Sequence, residues 1–251
     1  MVDAKTLSYI NLYAILGSIP MLCKYDERAK SLSDVKKIAI GFCVKNGPSG
    51  TLTFEGGECT FVRGCERCDI KIPFSSPEKF NAMIDGTSTP IPVKGFSRLG
   101  FLLKNFTSIT DILTGYLRAS DKDLEDEHFF EISTRLMFSV IVGAVAAIGN
   151  NDKVGRASAS YISDGTIMLA IGDEQYAGID VSNHILIAKT EKPKSYTSYM
   201  IFEDMKLARA LFDGKVNAVS CVGMGRIRIG GMISQVDNVN RILDRVALYL
   251  A

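Results

Sequence analysis

Cys65-Glu66-Arg67-Cys68, with Cys59 upstream, is the one stretch whose residue types and spacing look chemical. Two thiols three residues apart serve redox exchange or supply half of a zinc site. A structural zinc takes four ligands, and neither His128 nor His184 stands at metal-ligand spacing from this pair. A thioredoxin-like pair belongs at a helix start after a strand, whereas this one falls in a predicted hairpin turn before an apolar run at 69–74. Arg67 would lower a neighbouring thiol's pKa, so a redox-sensitive pair stays open beside the plainer reading of turn cysteines. Gly223-Met224-Gly225 and Gly230-Gly231 invite a phosphate-loop reading, but no lysine followed by Ser or Thr comes in Walker spacing, which leaves strand-bend glycines. His184 reads as a structural residue at a strand start and His128 as a solvated group in an acidic helix start. Asn150-Asn151-Asp152-Lys153 reads as a helix exit. No nucleophile has a base beside it. The expectation is a protein that is not an enzyme, with no catalytic residue, no metal and no cofactor.

The elements that must position any site come from a chain of 251 residues, 47% apolar and 23% charged, which is the composition of a soluble globular protein of one large domain or two ordinary ones. Lys plus Arg is 29 against 28 for Asp plus Glu, a net charge of +1. That balance supplies no general electrostatic reason to approach nucleic acid or an anionic membrane. Six cysteines could make three disulfides, yet a chain this apolar does not need them, so reduced thiols and a cytoplasmic location are expected. The apolar stretch 9–23 ends in Leu22-Cys23, where bulky Leu22 occupies the place a cleavage site needs a small residue. The stretch 136–149 falls short of the roughly 20 residues that span a bilayer. Both read as buried core helices and not as transmembrane segments.

The chain repeats itself at about half its length. Ile15-Leu16-Gly17 and Asp26 are echoed by Ile141-Val142-Gly143 and Asp152 at an offset of 126, and Ile72, Phe74 and Asp85-Gly86 by Met200, Phe202 and Asp213-Gly214 at 128. Between the copies, Ser120 to Glu127 carries five acids and one lysine, which suits a solvated connection and the first turn of a following helix. The boundary is set near Ser120, giving domains 1–119 and 120–251.

Each half opens with a helical pattern, 5–22 and 125–148. Short β-branched and aromatic runs follow: 37–44, 51–54, 59–62 and 69–74 in the first half, 166–171, 176–181, 184–188 and 196–202 in the second. Tight turns between them predict an antiparallel meander of four strands. A short helix comes next in each. In the first half Ser76 can cap it, Pro77 sits in its first turn, and Phe80, Met83 and Ile84 form its apolar stripe. In the second half its twin runs from Glu203 to Gly214. A fifth strand is most legible at Arg226-Ile227-Arg228-Ile229.

This order of elements resembles the sterol carrier protein 2 family. The likeness is sharpest where Gly214-Lys215 is followed by Gly225-Arg226-Ile227-Arg228-Ile229-Gly230-Gly231-Met232, against a family pattern of Gly-Lys, a proline near the crossing, then Gly-basic-apolar-basic-apolar-x-Gly-x-Met. Met232 comes one place early and Ala218 stands where the proline would be. The first copy keeps Pro90, but Ser97 replaces the strand-opening glycine and Ser97 to Phe101 lacks the basic alternation. The resemblance implies an α+β fold of two such domains, each a five-stranded, mainly antiparallel sheet with helices covering one face and enclosing an apolar tunnel. Tunnel positions would be Phe80, Met83, Ile84, Phe96, Leu99 and Phe101 in one copy, and Leu211, Phe212, Met224, Ile227, Ile229 and Met232 in the other. Any one of these is also an ordinary core residue by type. The implied partner is an apolar small molecule, a fatty acyl chain, lipid or sterol-like ligand, bound without catalysis by a monomer or homodimer. The other expectation is an interaction module, a fixed pseudo-dimer with a filled tunnel.

Overall fold

A computed structural model describes residues 2–250. The chain is α+β, with one four-stranded and one five-stranded sheet plus helices. It divides into two compact units, one ending at Leu136 and the other beginning at Met137. The division lies beyond Ser120 because the first turns of the next helix belong to the first unit: Ile132 and Leu136 are part of its core, and Phe129 stacks on Tyr116 at 4.4 Å.

The first unit begins with α1 (Ala4–Ile10), a π-helical turn (Asn11–Ile15), a 3-10 turn (Leu16–Ser18), α2 (Ile19–Tyr25) and α3 (Glu27–Ser33). Four strands follow, β1 (Ile38–Val44), β2 (Ser49–Glu55), β3 (Glu58–Arg63) and β4 (Ile70–Phe74), then α4 (Pro77–Ile84) and α5 (Thr107–Leu117). Ser76 caps α4 by accepting from the Lys79 N–H, with Pro77 in the first turn, as the sequence predicts. Ile38, Ile40, Phe42 and Val44 of β1 alternate onto one face with Leu52, Phe54, Ile70 and Ile72, and Leu12, Leu16, Leu22 and Ile109 of the helices complete the core.

The expected meander holds for three strands only. The sheet order is β3-β2-β1-β4, and β4 lies parallel to β1, with Ile72 opposite Phe42. The reason is the crossover at 64–69, which runs diagonally over the far face of β2 and β1. It is stitched there by Thr51 Oγ1 donating to the Gly64 carbonyl at 2.7 Å and by Asp69 and Ala39 exchanging bonds at 2.8 and 2.9 Å. A Cβ on Gly41 would stand 2.7 Å from Cys68 Sγ, so the crossover can lie this close only over a glycine.

The expected fifth strand of this unit is also corrected. Residues 96–106 fold into a 3-10 turn (Phe96–Arg98) and a π-helical turn (Phe101–Phe106) that sends Phe101, Leu102 and Phe106 into the core. Without an apolar-polar alternation, nothing holds this stretch to the sheet edge. Only Val93 and Lys94 bond to β4 there, both through Lys71.

The long helix α6 (Glu127–Asn151) leads into α7 (Lys153–Ala159), β5 (Gly165–Ile171), β6 (Gln175–Ser182), β7 (Ile185–Lys189) and β8 (Ser198–Phe202). Then come α8 (Met205–Phe212), α9 (Ala218–Gly223), β9 (Ile227–Gly231) and α10 (Ile233–Leu250). The sheet order is β7-β6-β5-β8-β9, which repeats the first sheet's order and adds the fifth strand, antiparallel to β8. Here too β8 runs parallel to β5, so the four-strand meander is again corrected to three. His184 lies not in a strand but in a two-residue hairpin turn with Asn183, at φ +63° and +50°, the left-handed pair such turns use.

The spans Ala4–Tyr25 and Glu127–Asn151 are long and apolar enough to cross a membrane by length and composition; 61% and 78% of their apolar windows are buried.

Candidate functional sites

The twelve positions picked from the sequence divide by unit. In the first, Phe80 is fully buried, edge-on to Phe74 at 5.1 Å and to Phe42 at 6.3 Å, and Phe101 is buried against Phe54 at 5.3 Å. Met83, Ile84 and Leu99 are half-buried at the margin of the same core. Phe96 is apart from them and 64% exposed. Of the six, only Phe80 and Phe101 lie in their unit's interior.

In the second unit Ile227 is buried and Leu211 and Phe212 are half-buried, Phe212 resting on Phe138 and edge-on to Phe202. Met224, Ile229 and Met232 are exposed, Met224 by 74%. Val219, Val222 and Ile233 are exposed beside them along α9 and the start of α10, and sequence reasoning missed all three. Val219 and Val222 form an i, i+3 pair, the signal that could have singled them out. The result is an apolar margin on α9, β9 and the first turn of α10.

The cysteines depart from the expectation of six reduced thiols. Cys43 on β1 and Cys65 in the crossover form a disulfide, with Cα atoms 6.0 Å apart. The Cys65/Cys68 spacing that drew attention in the sequence therefore does not mark the bonded pair. Cys68, in the same crossover, instead keeps a free thiol against Gly41, 3.4 Å from the Cys65 carbonyl. Cys23, Cys59 and Cys221 are also free and buried. The interaction of the Cys23 and Cys59 thiols with each other holds Cys23 below its ordinary pKa and pushes that of Cys59 up.

A polar cluster recurs in both units, and sequence reasoning found only its aspartates. Asp26 caps α3 by accepting from the Ala29 N–H at 2.9 Å. Its Oδ2 also accepts from Arg28 Nη2 at 2.7 Å and from the Tyr116 hydroxyl of α5 at 2.8 Å. Asp152 caps α7 through the N–H groups of Val154 and Gly155, and accepts from Arg245 Nη2 at 2.9 Å and the Tyr249 hydroxyl of α10 at 2.7 Å. Burial raises both carboxyl pKa values, but the hydrogen bonds from arginine, backbone and tyrosine together outweigh it and leave both below the usual carboxylate range. Burial, followed by the bond to Asp26, pushes Tyr116 up to about 12.

The Asp26 cluster forms one wall of an open cleft of about 520 Å³, lined also by Lys122, Asp126, His128 and Phe129. Its carboxylate is already engaged by three donors, so it is suited to holding helices and not to taking a proton from a substrate. His128 is exposed, as expected. Among the described residues, no group of three or more His, Cys, Asp and Glu could hold a metal ion.

No family model matches the chain, and no curated protein matches it. Among solved structures it is similar to a stereoselective inverting sec-alkylsulfatase from Pseudomonas sp., at 10% identity and a TM-score of 0.25, over 57% of this chain and 28% of that one. A double mutant of a sec-alkylsulfatase matches at 10% identity and a TM-score of 0.27, over 58% and 29%. The chain thus spans less than a third of the length of those enzymes, and a likeness at such scores carries no chemistry over to it.

Proposed function

We propose that this protein binds an apolar small molecule, of the fatty acyl, lipid or sterol-like class, without catalysing a reaction on it. In this reading the units are two sterol carrier protein 2-like domains, and the second holds the ligand. The observation that carries it is the apolar margin of Met224, Ile229 and Met232 beside half-buried Leu211 and Phe212. Large apolar side chains left in water together mark a surface that something covers. Each methylene of a covering acyl chain contributes roughly 0.8 kcal/mol, and unbranched Met side chains adapt to variable ligand shapes.

For the first unit a different role is favoured by Phe80 and Phe101, which occupy its interior. That unit is an accessory with a filled tunnel, acting through its surface.

Native mass spectrometry of the purified chain, followed by organic extraction, tests the ligand reading. One equivalent of a fatty acid or lipid is expected, and Ile229→Asp is expected to abolish its retention. A clean apo mass, unchanged after incubation with acyl chains, would overturn the proposal.

A further inference from the structure

The net charge of +1 conceals a local imbalance in the first unit. Residues 86–110 hold three cations, Lys94, Arg98 and Lys104, and no acid. The same segment carries Ile91, Val93, Phe96 and Leu103, exposed by 76%, 60%, 64% and 68%. Few stretches of the chain are at once this apolar and this exposed.

The local structure explains how both properties reach the surface. Val93 and Lys94 lie along β4, the Val93 N–H donating to the Lys71 carbonyl at 2.9 Å and the Lys71 N–H to the Lys94 carbonyl at 3.2 Å. The chain turns at Gly95, at φ +89°, into Phe96 and the 3-10 turn. The π-helical turn then buries Phe101, Leu102 and Phe106, which anchors the segment and leaves Leu103 and Lys104 outward. Lys94 Nζ donates to the Cys68 carbonyl and Arg98 Nη1 to the Lys37 carbonyl, bonds that place the cations without neutralising them.

The second unit supplies the contrast. Residues 214–236 also carry three cations and no acid. There two of the three are paired, Lys215 with Asp213 at 3.5 Å and Arg226 with Glu203 at 2.6 Å. Among the described residues no ion pair reaches Lys94, Arg98 or Lys104. Apolar side chains interleaved with uncompensated cations match a bilayer interface, where anionic head groups meet the cations and the acyl boundary just beneath them takes the apolar side chains.

We infer that the segment carrying Ile91, Val93, Phe96 and Leu103 docks the first unit on an anionic lipid surface. Phe96 and Leu103 enter the interface, and Arg98 and Lys104 meet the head groups. This surface lies in the first unit, outside the ligand positions proposed for the second. It stands whether or not that unit retains a lipid.

Co-sedimentation of the full chain with vesicles tests it. Binding is expected to pure phosphatidylglycerol and to an equal mixture with phosphatidylcholine, to be absent with phosphatidylcholine alone, and to weaken as salt is added. Arg98→Gln and Lys104→Gln should each reduce partitioning about fivefold. Phe96→Ser with Leu103→Ser should reduce it roughly tenfold or more at unchanged circular dichroism, since both side chains are already in water. Tyr161→Ser, an exposed aromatic of the second unit, should change nothing. Equal binding to neutral and anionic vesicles, or binding indifferent to these substitutions, would overturn the inference. So would no vesicle binding at all, an outcome that would point to a protein partner.

Discussion

Arg28 reaches Asp26 from its own helix, two residues on, whereas Arg245 reaches Asp152 from the last helix of its unit, one turn before Tyr249. The tyrosine comes from a late helix in both. What the two units share is therefore a carboxylate that caps one helix and is bonded by the tyrosine of another, so that a helix start and a distant helix are tied at one point. The cation is placed by different means, and its surroundings differ: the Arg28 side chain is 65% exposed and that of Arg245 only 20%. Removing a carboxylate strands a charge in proportion to how little water reaches it.

The largest effect is accordingly expected in the second unit. Asp152→Ala should lower stability by about 3–5 kcal/mol in urea unfolding, because Arg245 loses its partner away from water. Asp26→Ala should cost only about 1–2 kcal/mol, mostly the lost cap, since Arg28 can return to solvent. Equal losses would break the comparison, for they would mean that cation exposure does not set the stake.

The crossovers offer a second pair, of intermediate size. In the first unit residues 64–69 are fastened to β1 by the Cys43–Cys65 disulfide. In the second, the stretch between β7 and β8 lies over Gly178, where a Cβ would stand 2.8 Å from Pro193 Cγ, and Lys192 sits over the Tyr176 ring at 4.0 Å. A covalent link restricts the unfolded chain far more than a proline does. Replacing Cys43 and Cys65 by Ala should cost about 3 kcal/mol, and Pro193→Ala less than about 1 kcal/mol, both measured by urea unfolding. A Pro193 loss as large as the disulfide's would show that contacts, and not chain restriction, secure the second crossover.

The smallest effect concerns pH. Both aspartates are held below their ordinary range, so each contributes stability that is fully present above about pH 4 and is lost as the pH falls through the depressed values. Tyr116, raised to about 12, contributes stability present below about pH 10 and lost as the pH rises toward 12. Tyr116→Phe should remove that alkaline loss while costing about 1 kcal/mol at neutral pH, as urea unfolding across pH would record. If the alkaline loss persists in the variant, its source lies elsewhere than this hydroxyl.

Much of the local structure was legible in advance. Runs of β-branched and apolar residues bounded by turn signals at 37–44 and 166–171 located β1 and β5, Ser76-Pro77 located the start of α4, and the offset of 126 paired Asp26 with Asp152. The site was less legible. Phe80 and Phe101 satisfy a tunnel pattern and a core pattern equally well, because burial by neighbours and burial by a ligand ask for the same side chains. Val219 and Val222 lie outside because α9 is six residues long and buries only Cys221.

The sequence alone determines most of the strands, the start of α4 and the repeat, since these rest on local residue type, on periods of 2 and 3.6 residues and on neighbours within one turn. Only the tertiary structure decides that β4 returns beside β1, that Cys65 bonds Cys43 and not Cys68, and that residues 96–106 leave the sheet. It also decides which tyrosine and arginine meet each aspartate. Those outcomes depend on where a loop closes in space, and the entropy of closing a loop changes too slowly with its length for spacing to name the partner.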